Sequence, residues 1–151
     1  MTRRINYEDD IFTVALQVRC LQDALKLEVD PELFREKLLG DVAWIDAITG
    51  RLFQSLRESS LYVKRQEHLK ELGKLKRAFV EALDVLIEKR APFADHVQDK
   101  AAELRAMRES HTGDIEEIKD LLSDRAPEDE HMVSSEELRF LMTADDEDSG
   151  D

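Results

Sequence analysis

Apolar residues recur along this chain at alternating spacings of three and four, the pattern of helices that each bury one stripe against neighbours in a bundle. Four stretches carry the register. In the first, Ile11, Val14, Val18, Leu21 and Leu25 keep it without a break, with Phe12 and Leu16 widening the apolar face. In the second, Leu38, Val42, Ile45, Thr49, Leu52 and Leu56 keep it, flanked by Phe34, Trp44 and Ile48. The third holds Leu69, Leu72, Phe79, Leu83 and Leu86, with Lys76 at the one seam position that departs from the pattern. The fourth holds Val97, Ala101, Leu104, Ile115, Ile118 and Leu122, and there Arg108 and His111 fall on the seam.

Start and stop signals divide these stretches. Asp30-Pro31-Glu32 reads as an N-cap, a proline at the first helical position and a carboxylate facing the positive end of the helix dipole. Gly40-Asp41 carries the chemistry of a helix end and a new cap, but the apolar register runs straight through it, so one continuous helix is expected. Ser59-Ser60 marks the next turn, and Pro92 is expected to open the fourth helix. Beside Gly113, the spacing of Asp114 and Glu117 is that of a capping box, which predicts a kink or break there. Helices over 7–28, 31–58, 62–90 and 92–122, joined by short connections, predict an all-α fold. Its expected form is an elongated antiparallel four-helix bundle, up-down-up-down, with helices roughly 30 to 45 Å long.

Charge separates this bundle from the C-terminal part of the chain. The net charge is −13, yet residues 126–151 hold ten acidic residues against the single base Arg139, a net of −9, which leaves residues 1–125 at −4. Residues 126–133 read as an acidic linker and 144–151 as an acidic disordered tail. Between them lies a more specific pattern. Ser134 and Glu137 have the spacing of a capping box, Val133 and Leu138 that of a hydrophobic staple, and Leu138, Leu141 and Met142 make a three-point apolar face. A short amphipathic helix over 134–143 is expected. Alone in water it is marginal, because nucleation costs more than so few bonds return, so it must dock on its own bundle or on a partner. Val133, Leu138, Leu141 and Met142 are therefore the candidate partner-binding residues.

Basic residues gather in the third stretch, where Lys70, Lys74 and Arg77 share a possible basic face. Nucleic acid is not the expected ligand: stacking aromatics are missing and the overall charge repels phosphate. The acidic tail folding back onto this face is the alternative use. No metal or other cofactor is expected. The one Glu-x-x-His spacing, Glu128 to His131, lies in the linker, and no two histidines stand at i, i+4. Asp95, Asp99 and Glu103, with Glu116, Glu117 and Asp120 further along, are dense enough to suggest magnesium held through waters. They keep a metal-dependent all-α nucleotide hydrolase, using Asp99, Glu103, Glu117 and Asp120, as an alternative. His111 must find a polar partner at its seam position.

The lone Cys20 cannot form an intramolecular disulfide and reads as a small buried hydrophobe in a reducing compartment. Glu8, Asp9 and Asp10 interrupt the N-terminus before any signal-length apolar run, and no stretch is long enough to span a membrane. A soluble cytoplasmic protein is expected. In outline, a helical bundle with a C-terminal helix resembles the cytosolic chaperones and adaptors of flagellar and type III secretion systems. These observations favour a non-enzymatic interaction module, adaptor or chaperone-like, whose partner is another protein, with a structural homo-oligomer such as a homodimer as a further alternative.

Overall fold

Asn6 starts the first helix: its side-chain oxygen accepts the Asp9 amide at 3.1 Å, and Glu8, Asp9 and Asp10 then face the positive end of the dipole. A computed structural model of the chain describes residues 5–123, and these form an all-α bundle. The helices are α1 (Tyr7–Ala24), α2 (Pro31–Glu58), α3 (Arg65–Ile87) and α4 (Ala101–Ser123), with a 3-10 segment over Ala94–Lys100 before α4. The linker, the amphipathic segment and the acidic end predicted over 126–151 lie outside the described residues, and with them Val133, Leu138, Leu141 and Met142.

The seam residues fill the interior. Val14, Leu38, Ile45, Leu56, Leu69, Leu72, Phe79, Leu83 and Leu86 are completely buried, in one continuous cluster drawn from all four helices. Thr49 joins them because its hydroxyl donates to the Ile45 carbonyl at 2.8 Å, which satisfies the one polar group it brings in. Helix α3 packs against α1, α2 and α4, most extensively α4. Contacts between α3 and α4 run in opposite chain directions, from Asp84–Arg108 through Lys76–Asp114 to Gly73–Ile118, so the two helices are antiparallel. No helix among the described residues is long and apolar enough to cross a membrane.

Several local expectations need correction. Helix α1 ends at Ala24, short of 28, because the Lys26 and Leu27 amides bond back to Asp23 and Ala24 in a tightened turn. Helix α4 is uninterrupted at Gly113, since Asp114 turns its carboxylate to a lysine on α3 instead of capping a new helix. The discontinuity lies earlier: Pro92 opens no helix, and the 3-10 segment beyond it hands over to α-helix at Ala101. Cys20 is exposed, one residue and about 100° around the helix from buried Leu21. Phe12 and Leu16 also point outward, 65% and 49% exposed, so the buried stripe of α1 is narrower than its apolar composition.

Candidate functional site

Two of the three seam positions that broke the apolar pattern, Lys76 and His111, meet each other. Lys76 on α3 and His111 on α4 are fully or almost fully buried, and the Lys76 Nζ donates to His111 Nδ1 at 2.9 Å. An ammonium has no lone pair, so Nδ1 must be the acceptor and the ring proton sits on Nε2. That Nε2–H donates to Asp46 Oδ1 on α2 at 2.7 Å, while Lys76 also donates to Asp114 Oδ2 at 3.0 Å. Aromatic rings close the sides: the Lys76 ammonium lies 5.7 Å from the Phe53 centroid, and the Phe79 ring meets His111 edge-on at 5.1 Å. The result is a hydrogen-bonded tether joining three helices, one buried ammonium and a neutral imidazole held by two carboxylates at the solvent edge.

Burial governs the protonation of this cluster. It pushes the Lys76 pKa below its ordinary value, against the pull of the hydrogen bond and charge of Asp114. Burial, followed by the neighbouring Lys76 charge, likewise depresses His111, with Asp46 opposing. Folded His111 is thus neutral where an unfolded histidine, with a pKa of about 6.5, begins to protonate. The unfolded state then binds more protons, so stability is retained above about pH 6.5 and lost as pH falls below it. His111→Gln removes this titration. The stability advantage of wild type over His111→Gln, measured by urea unfolding, is expected to shrink from pH 7 to pH 5. Parallel pH profiles would contradict the neutral assignment.

Directly beside this tether, on the outer side of the same helix pair, α3 and α4 form a shallow groove. Gly73 makes it possible: a Cβ there would sit 3.5 Å from Ile118 Cγ2, so the helices approach closely and leave Ile115, Ile118 and Leu122 as an apolar floor. Lys70, Lys74 and Arg77 form the rim on α3, with Lys119 opposite on α4. The possible basic face is therefore the edge of an apolar trough. All three α3 cations are half-buried.

The candidate hydrolase carboxylates are not brought together. Asp99 pairs with Arg35 on α2 at 2.6 Å, Glu103 with Lys100 at 3.5 Å, and Glu117 with Arg57 at 3.2 Å. Glu103 and Glu117 are separated by roughly 21 Å of helix, beyond the span of one ion and its ligands. Among the described residues no group of three or more His, Cys, Asp or Glu side chains is arranged to hold a metal. A second polar cluster, at the α1 N-terminus, has no signature in local sequence spacing. Tyr7 and Tyr62 flank His68, ring centroids 5.6 Å from it, with the Tyr62 hydroxyl 3.2 Å from His68 Nδ1 and the Tyr7 hydroxyl bonded to Ser55. No protein-family model, curated protein or solved structure matches the chain.

Proposed function

We propose that this protein is a non-enzymatic interaction module, an adaptor or chaperone-like bundle, whose recognition element is the amphipathic segment 134–143. The observation that carries the reading is that, among the described residues, α1 to α4 already share one buried cluster extending from Ile11 to Ile118. Beyond that cluster the sequence carries a segment with its own capping box, staple and apolar face, and apolar surface of that kind is used in docking. The dispersal of Asp99, Glu103 and Glu117 into separate ion pairs supports a binding role over metal-dependent hydrolysis. Hydrogen bonding of both His111 nitrogens within the tether supports it too.

The test compares the tagged full-length chain with a Leu138→Ser/Leu141→Ser/Met142→Ser variant in quantitative pull-downs from the native cell. At least one partner should be retained at least about ten-fold less by the variant, since three buried apolar contacts contribute several kcal/mol in all and each 1.4 kcal/mol or so is a factor of about ten. A synthetic peptide of residues 132–146 should displace the same partner. Identical partner sets for the two proteins would reject the reading.

A further inference from the structure

We infer that the α3–α4 groove is the resting seat of the chain's own segment 133–142, held there until a partner takes it up. The inference rests on the reading of that segment as the recognition element, and adds where it is stored and what chemistry competes for it.

Three observations favour this occupant. The first is complementarity of pattern. The groove is an apolar floor of Gly73, Ile115, Ile118 and Leu122. The segment offers Leu138, Leu141 and Met142 on one face, enough for about two turns of helix laid in a trough. The second is charge. Residues 126–151 carry −9, and the groove is rimmed by Lys70, Lys74, Arg77 and Lys119. Acids stand on both sides of the apolar triad, Glu136 and Glu137 before it and Asp145 and Asp146 after it, so both ends of a seated helix meet cations.

The third is reach. Helix α4 ends at Ser123, and Leu122, one residue earlier, is itself part of the groove floor. The nine residues 124–132 span at most about 30 Å, whereas the groove from Lys70 to Arg77 is about 10 Å long. The chain therefore leaves the bundle at one end of the groove with ample length to turn back into it. At effective concentrations in the millimolar range even a weak contact is substantially occupied. A partner that takes the segment must offer similar chemistry, an apolar trough bordered by lysine or arginine.

Hydrogen exchange followed by mass spectrometry on the full-length protein tests this without any partner. At about 50 mM salt, amides of 135–142 are expected to exchange roughly ten-fold more slowly than in an unstructured chain. Protection should fall as salt is raised to about 500 mM, because the rim contacts are screened. Lys70→Glu/Lys74→Glu should abolish it, and Asp145→Lys/Asp146→Lys should abolish it independently. The tail substitution lies outside the bundle and strengthens the isolated helix by placing cations at its C-terminus, so lost protection there reports undocking. Exchange at the unstructured rate in wild type, or protection that neither reversal moves, overturns the inference. These outcomes are read on the isolated protein, so they stand apart from the pull-down: a segment that binds partners but is never protected retains the proposed function and loses its seat.

Discussion

Asp114→Ala is expected to destabilise the protein by about 3 kcal/mol, several times the cost of removing an exposed carboxylate. The reason is the ammonium left behind. Lys76 is completely buried, and Asp114, 3.0 Å away, is the nearest negative charge that its hydrogen bonds reach directly. Lys76→Met removes the buried charge while keeping a side chain of similar length against Phe53. It leaves only His111 Nδ1 without its donor, a loss of about 1 to 2 kcal/mol. In the Lys76→Met background Asp114→Ala should then cost less than about 0.5 kcal/mol, giving a coupling of at least about 2 kcal/mol in the double-mutant cycle. Equal costs in the two backgrounds would refute the tether. Alkali provides an independent check: the folded Lys76 pKa is lowered, so the burial penalty is in force at neutral pH. It is relieved as pH rises toward the unfolded value of about 10.4.

The tether also explains how far the sequence could be read. Apolar periodicity locates buried positions, and it did so even where the residue was polar: Lys76 and His111 sit in the register and are buried with it. What periodicity cannot supply is the partner. Lys76 meets His111 across 35 residues and His111 meets Asp46 across 65, and those pairings depend on the axial stagger of three helices, which no local spacing encodes. Arg108, on the same seam, escapes burial by pairing with Asp84 at 2.8 Å near the surface. The misreadings have a related origin. Asp114 and Glu117 match a capping box in spacing, but a mid-helix carboxylate with a buried lysine opposite is better used as its counter-ion. Phe12, Leu16 and Cys20 are apolar enough for a core and lie outside it, because a helix buries a stripe whose width neighbouring helices decide.

Of the candidate site, the basic face was legible and the groove was not. Lys70, Lys74 and Arg77 share a helix face by spacing alone. That the face borders an apolar trough depends on Gly73 admitting Ile118, a contact between residues 45 positions apart. The tether and the groove are consecutive in sequence on both helices: Lys76 precedes Arg77, and Asp114 precedes Ile115. The buried ion pair therefore fixes the α3–α4 separation at one end of the groove, and the Gly73–Ile118 contact fixes it further along.

Glycine supplies the second large effect, in the opposite direction. Gly40 and Gly50 lie inside α2 and Gly113 inside α4, none with a positive φ, and a Cβ added at any of them meets nothing within 4 Å. Alanine at such a position restricts the unfolded chain and favours the helix, contributing about 0.8 to 1 kcal/mol per site. Gly40 and Gly50 are roughly 15 Å apart along α2, and Gly113 is on another helix, so the three gains should add. The triple variant Gly40→Ala/Gly50→Ala/Gly113→Ala is expected to be about 2 to 3 kcal/mol more stable, seen as a higher urea midpoint with an unchanged m-value. The substitution also probes helix continuity. A helix that ended at Gly40 or Gly113 would place the glycine in the left-handed region, where alanine costs about 1 kcal/mol or more, and the midpoint would fall. Protection of segment 133–142 should be the same in this variant as in wild type, because none of the three positions lines the α3–α4 groove.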